Sequence, residues 1–441
     1  MGSSKSNQLL RHPRFPLIAM FVFSVYRSAP LHYHSLHFMI QLSHKKLLLA
    51  AAAIFSIQLL CAQGFSTIRA PSSVAHTGNA AAPFSTTATH TRGYAAGQTG
   101  SSLCAIVTQL TLEEKAAQVL MVNIAGRTKA DAASIAAFKG TVPGAIILFG
   151  YNIAETAQEV RSFLASANQQ WEAAAHTAKY TFLPPLYALD NEGGSVYRTR
   201  RITAPLPAAE EIGQRLSVEE TEALYRQVGQ QMKELGLQLN LAPVAEARTA
   251  QNQAALGSRT YSDKPETAAQ YAAAAVRGMQ DAGICATVKH FPGNGAADLH
   301  KGAAILETDY ETFRTQYCAS FIPSIKAGAA AVLVSHITVP AVEAVPFCFS
   351  AKGIALLRNE LGFSGLIITD DIAMQALRQN GATPAENAVR AIAAGCDMVM
   401  SSLPAVYPLI SAIAEKARSD TEFAKRLDEA VLRVLTIKQN E

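Results

Sequence analysis

The sequence predicts one α/β domain closed as an eight-stranded (β/α)8 TIM barrel, and three observations carry that prediction. Eight short aliphatic or β-branched runs alternate with Ala-, Glu- and Arg-rich stretches of helical character. The alternation fills roughly residues 105–441, the length of a barrel with inserted loops. Several runs end in ionisable side chains, and the C-terminal ends of parallel strands are where such a barrel carries its chemistry.

The chain opens with residues that do not belong to this alternation. Residues 1–100 hold eight Lys/Arg and no Asp or Glu; removing these from the 38 basic residues leaves 30 against 34 acids, so the remainder carries about −4. That balance argues against nucleic-acid binding, which needs a basic patch on the folded part. His44-Lys45-Lys46 precedes an apolar run, Leu47 to Ala62. A basic region, an apolar region and a terminal small residue describe a secretory signal, and the run is shorter than a comfortable membrane span. Residues 1–62 are thus expected to form a targeting segment, with Met39 as a candidate true start and an uncleaved membrane anchor as the rival. Residues 63–104, rich in Ala, Ser, Thr and Gly without periodicity, read as a flexible tether. The expected location is exported: periplasmic, envelope-associated or secreted. Five cysteines lie beyond the signal, none in a C-x-x-C pair, and Cys285 and Cys396 read as small buried hydrophobes.

Order is expected from Thr111-Leu112-Glu113-Glu114, a capping box. The predicted strands are 119–124, 144–149, 186–190, 239–244, 286–290, 331–336, 366–370 and 397–401, with helices such as 218–235 and 267–282 between them. No G-x-G-x-x-G follows the first strand, which disfavours a doubly wound sheet. One helix follows the eighth strand, and no second domain is expected.

Asp190 closes the third run, His290 the fifth, His336 the sixth and Asp370-Asp371 the seventh. A lone strand-end Asp serves as a helix N-cap about as often as it serves chemistry. Histidine usage tips the balance: four histidines lie beyond residue 100, and His290, His300 and His336 fall at strand ends or in the loop that follows. Residues 289–301, K-H-F-P-G-N-G-A-A-D-L-H-K, predict a mobile loop carrying Asp298 and His300. An Asp-x-His arrangement lets a carboxylate orient an imidazole for proton transfer near neutral pH. No H-E-x-x-H or comparable ligand pair appears, so no metal and no cofactor is expected.

These blocks together resemble glycoside hydrolase family three. Asp190-Asn191-Glu192-Gly193-Gly194 with Arg198 is similar to its D-x-E-G-G…R block, and Lys289 to Gly293 to its K-H-F-P-G block. Residues 361–365 and 369–374, L-G-F-S-G and T-D-D-I-A-M, are similar to its L-G-F-x-G…S-D-D-x-x-M block; Leu256 to Arg259 and Phe349-Ser350 also fit. The Asp-x-His loop and the single-domain length point within the family to its β-N-acetylglucosaminidase (β-hexosaminidase) branch. Asn294 stands where that branch commonly has His, and the span from His290 to His300 is about two residues shorter than its common pattern.

The resemblance implies roles. Asp370 would be the nucleophile, a choice that strand parity leaves open between Asp370 and Asp371 because both faces of the run are apolar. His300, oriented by Asp298, would be acid and then base. Asp190, Arg198, Arg259, Lys289 and His290 would hold the sugar hydroxyls and N-acetyl group. The implied reaction is retaining exo-hydrolysis of terminal β-linked N-acetylglucosamine through a glycosyl-enzyme. Trp171 is the single tryptophan and sits in a helical stretch where packing is its expected task. A pocket for one terminal sugar on muropeptides or chitin-type oligosaccharides fits that scarcity better than a long aromatic cleft. A monomer is expected, with carbohydrate as partner and the membrane met only through an N-terminal anchor. The rivals are a β-glucosidase, β-xylosidase or glycosyl phosphorylase on the same scaffold, or a secreted sugar-binding protein without catalysis.

Overall fold

Helix-starting residues do what their chemistry dictates at four points in the chain. In the computed structural model, which describes residues 99–295, 302–378 and 381–439, Thr111 accepts the Glu114 N–H while Glu114 accepts the Thr111 N–H. Thr156/Glu159, Ser217/Glu220 and Thr383/Glu386 repeat this reciprocal cap, which satisfies backbone donors a helix cannot pair internally. The helices Ala157–Ala178, Val218–Leu235, Pro265–Asp281, Pro384–Ala394, Tyr407–Ser419 and Thr421–Gln439 form much of the outer layer. A further helix, Thr99–Gln109, overlaps the stretch read from sequence as tether. It is anchored by buried Leu103 and Val107, one turn apart, an apolar signal diluted by neighbouring Ser and Gly.

Inside this layer run the strands β1 Leu120–Val122, β2 Ala145–Leu148, β3 Leu186–Leu189, β4 Leu239–Asn240, β5 Cys285–Phe291, β6 Ala331–Val334, β7 Leu366–Thr369 and β8 Val399–Ser401. All eight coincide with predicted runs. Neighbouring strands pair in parallel in the order β7-β6-β5-β4-β3-β2-β1-β8. The parallel bridge Ile368–Met398 and the bonds from the N–H groups of Met398 to Ile367 O and of Thr369 to Met398 O join β7 to β8. The eight-stranded sheet is therefore closed among the described residues, so its β7 and β8 edges are paired with each other.

Two apolar clusters show why the runs are apolar on both faces. Met121, Ala145, Ile147, Leu186, Ala188, Leu239, Cys285, Ala331, Leu333, Leu366, Ile368 and Met400 fill the barrel interior. Their alternates, including Ile146, Leu148, Tyr187, Leu189, Ala286, Val288, Val332, Val334 and Ile367, pack against the helices. Trp171 belongs to this outer shell, edge-on to Phe138 with ring centroids 4.8 Å apart. Cys285, Cys318, Cys348 and Cys396 are buried, and Cys104 is disulfide-bonded.

At the N-terminal end of β8, Asp397 collects charge. Its carboxylate meets Arg426 at 2.6 Å, Arg433 at 3.1 Å, Arg358, and the Ile367 N–H at 2.9 Å. Burial alone would raise this carboxyl; the three guanidinium groups reverse that and hold it below its ordinary value. The cluster ties the last helix to the barrel floor, far from the strands' C-terminal ends. Among the described residues no helix is long and apolar enough to cross a membrane.

Candidate active site

Strand alternation decides which side chains reach the barrel mouth. Leu186 and Ala188 point inward, so Asp190 follows them; Cys285 sets the same phase for Lys289. Leu366 and Ile368 point inward, and the Asp370 N–H still bonds to Val334 O at 2.9 Å, so Asp370 continues that phase toward the mouth. Asp371 continues the outward phase of Ile367. The parity that the sequence leaves open is thus fixed by which face of β7 fills the barrel.

Asp190, Glu192, Lys289 and Arg259 form one interlocked group. Lys289 Nζ lies 2.7 Å from Asp190 Oδ1 and 2.6 Å from Glu192 Oε1. Arg259 grips Glu192 with two parallel bonds, Nε to Oε2 at 2.7 Å and Nη2 to Oε1 at 2.9 Å. Arg198 Nη2 stands 3.7 Å from Asp190 Oδ2, and the buried Arg198 Nε makes no hydrogen bond among the described residues. Burial opposes the charge on Glu192, yet Lys289 and Arg259 prevail and take its carboxyl down to about 2. The same acids outweigh burial at Lys289 and Arg259 and raise both. The group stays ionised because each charge has a partner.

Local backbone explains how Glu192 comes to lie here. The hairpin Asn191–Gly193 with Val196–Tyr197 turns back immediately after β3. Gly193 has φ of +102°, and a Cβ there would sit 2.1 Å from Pro207 O, so only glycine fits. The Asn191 side chain accepts the Arg198 N–H at 2.9 Å and donates to Thr199 Oγ1 at 2.8 Å, locking the hairpin that carries Arg198.

A second group surrounds Glu246, which follows β4. Its Oε1 accepts the His290 main-chain N–H at 3.1 Å and lies 2.8 Å from His290 Nδ1; its Oε2 accepts the Asn294 N–H at 2.5 Å. Nδ1 faces a carboxylate and therefore carries hydrogen. The Asn294 amide nitrogen, 3.1 Å from Nδ1, is thus a neighbour of the ring, and its bond runs to Glu246 at 3.2 Å. Glu246 both orients His290 and pins the start of the loop.

Asp370 and Asp371 differ in what they touch. Oδ1 of Asp371 accepts the N–H of Ala373 at 2.9 Å and of Ser402 at 3.2 Å, so this carboxylate closes a turn. Asp370 accepts the Asp371 N–H at 2.8 Å through Oδ1 and stays partly open to solvent. His336 Nε2 lies 3.0 Å from Asp371 O. Burial pushes the Asp370 carboxyl up. The His336 and His290 imidazoles oppose it, with the Asp371 N–H and Lys289, and hold it below the ordinary value.

The predicted residues Asp190, Arg198, Arg259, Lys289, His290 and Asp370 thus gather at the C-terminal end of the barrel. Asp298 and His300 lie outside the described residues. In the sequence Glu192 stands out only as part of a motif, and Glu246 does not stand out. The signal for Glu246 is the one used for Asp190, an acid just past a strand run, here Leu239–Val244. His336 is marked in the sequence by its strand-end position alone. No group of three or more His, Cys, Asp or Glu placed to hold a metal ion occurs among the described residues.

Residues 111–437 match the Glycosyl hydrolase family 3 N terminal domain. The chain is 32% identical over 314 residues to a β-hexosaminidase of Xylella fastidiosa, covering 69% of this chain and 89% of that one. A family 3 β-N-acetylglucosaminidase from Paenibacillus sp. superposes with a TM-score of 0.68 at 30% identity; the match covers 75% of this chain and 62% of that protein, less than two thirds of its length. A β-N-acetylhexosaminidase from Beutenbergia cavernae superposes with a TM-score of 0.66 at 30% identity, over 75% of this chain and 99% of that one.

Proposed function

The chain belongs to glycosyl hydrolase family 3, and from that premise we propose that it is a retaining exo-β-N-acetylglucosaminidase. The observation that carries this reading is the position of Asp370: it continues the interior face of β7 into a mouth lined by Asp190, Arg198 and Lys289. The names of the relatives support the N-acetylhexosaminide class.

Asp370 attacks the anomeric carbon, the glycosidic bond breaks, and the leaving oxygen takes a proton. An ionised carboxylate is the right nucleophile for an oxocarbenium-like centre, and the downward direction of its pKa favours that form. Water then attacks the glycosyl-enzyme with a base removing its proton, so that two inversions give retention. His300 with Asp298 is the proposed acid and base; both lie outside the described residues. Asp190 with Lys289, Arg198 through Nε, and His290 through Nε2 present acceptors and donors for hydroxyls and the N-acetyl group. Arg259 contributes chiefly by holding Glu192 against Lys289.

Muropeptides or chitin-type oligosaccharides are the proposed substrates, and peptidoglycan turnover in an exported setting the proposed context. The support is the sequence signal at residues 44–62 and the absence of a tryptophan platform, since Trp171 is buried in the outer shell. Turnover of an aryl β-N-acetylglucosaminide against the aryl β-glucoside, with and without phosphate, tests the reading. Faster cleavage of the N-acetyl sugar without phosphate supports it. Preference for the glucoside, or an absolute need for phosphate, overturns it in favour of a glucosidase or phosphorylase. Binding without turnover, unchanged by Asp370→Ala, would make the chain a sugar-binding module.

A further inference from the structure

Behind the proposed nucleophile lies a thiol that the reaction above does not use. Cys348 sits in the turn Phe347–Phe349, fully buried, with Sγ 3.2 Å from Nδ1 of His336. Across the same ring, Nε2 lies 3.0 Å from the main-chain carbonyl of Asp371. A carbonyl only accepts, so Nε2 carries the hydrogen. Nδ1 of the neutral ring then presents a lone pair, and the thiol S–H donates to it. Burial pushes the Cys348 thiol well up, which keeps its proton in place.

The turn holding this thiol is itself fixed. The Phe347 N–H bonds to Ile337 O at 2.8 Å, just past His336, and the Cys396 thiol donates to Cys348 O at 3.4 Å from the β8 side. Gly353 admits the Phe347 ring, because a Cβ there would lie 2.6 Å from it. The sulfur therefore stands at a set distance from the ring, where a small displacement would break the contact.

We propose that Cys348 is a positioning residue for catalysis: its thiol fixes His336 near neutral pH as the Nε2–H tautomer, His336 holds the Asp371 carbonyl, and the Asp371 N–H holds Oδ1 of Asp370. The chain of bonds is Cys348 to His336 to Asp371 to Asp370, and its catalytic meaning rests on the reading of Asp370 as nucleophile. A ring free to flip or change tautomer would turn a lone pair toward the Asp371 carbonyl and loosen the Asp371–Ile372 peptide, the next along the chain from the Asp370–Asp371 peptide whose N–H orients the nucleophile.

The test uses the full chain labelled with 15N-histidine, wild type beside Cys348→Ser and Cys348→Ala, with His336 identified by the signal lost in His336→Asn. Wild type and Cys348→Ser are expected to show a protonated Nε2 and a bare Nδ1. In Cys348→Ala the Nδ1 signal should shift or split between tautomers. Cys348→Ser should retain kcat within about twofold, while Cys348→Ala loses about five- to tenfold in kcat with KM within about twofold, the scale of one ordinary hydrogen bond. Melting temperatures of the two variants separate this from loss of packing. A protonated Nδ1 in wild type overturns the proposal. So does a Cys348→Ala enzyme unchanged in kcat and in its nitrogen signals, or a Cys348→Ser enzyme as impaired as Cys348→Ala at equal stability. Should a fluorinated sugar fail to label Asp370, the nucleophile reading falls while the nitrogen signals still decide the thiol–imidazole bond.

Discussion

The main-chain N–H of Asp371 donates to Oδ1 of Asp370 at 2.8 Å, and through this bond two adjacent acids take different tasks. Asp371 spends its own carboxylate on the N–H groups of Ala373 and Ser402, an acceptor role that an amide oxygen can fill. Asp371→Asn is therefore expected to keep kcat within about tenfold. Asp370→Asn, which removes a nucleophile, should lose roughly 10⁴-fold or more. Steady-state kinetics on an aryl β-N-acetylglucosaminide compare them; equal losses would refute the division.

Glu246 predicts a second kinetic signature. It is the group to which His290 Nδ1 and the Asn294 N–H both point. Glu246→Ala frees the His290 ring and the start of the loop together. We expect kcat/KM to fall about 10²-fold, the scale of a misplaced site group, with melting temperature lowered by a few degrees. A variant with unchanged kcat/KM would show that His290 needs no orienting partner.

Glu192 predicts a stability effect. Glu192→Gln leaves the buried Lys289 with Asp190 alone and removes the charge from the paired bonds to Arg259. Breaking one partner of a buried pair costs about 3–5 kcal/mol when nothing replaces it. The amide retains some hydrogen bonding, so about 2–3 kcal/mol is expected from urea unfolding at pH 7. A cost within 0.5 kcal/mol, about that of a surface change, would contradict the buried-network account.

The eight strands were legible because each run is apolar on both faces, the mark of a buried parallel sheet. That same property concealed the parity of Asp370, which appears only once Leu366 and Ile368 are seen to fill the barrel. Residues inside intact blocks, such as Asp190 and Lys289, were readable from sequence. Glu246 and Cys348 were not, because their meaning comes from contacts across 44 residues to His290 and 12 to His336. Helix starts were readable where Ser or Thr precedes Glu by three, and unreadable at Thr99, where no such cap stands.

Stability should fall in acid for a stated reason. The folded-state carboxyls of Asp397 and Glu192 titrate below their ordinary values. Their contribution is present above the unfolded values, near 4, and is lost as pH falls through the folded ones. Urea midpoints should therefore decline from about pH 5 toward pH 2. Asp397→Asn, destabilised at pH 7 by about 3–5 kcal/mol because Arg358, Arg426 and Arg433 lose their common partner, should show a flatter decline. Parallel curves for variant and wild type would count against Asp397 as a main acid-sensitive group.

The nucleophile is tested most directly by trapping. The protein incubated with a 2-fluoro or 5-fluoro N-acetylglucosaminyl donor, digested and analysed by mass spectrometry, should carry one sugar on the peptide containing Asp370, with fragmentation placing it on that residue. A sugar on Asp371 or another residue, or no adduct from an enzyme that turns over the ordinary substrate, would contradict the account.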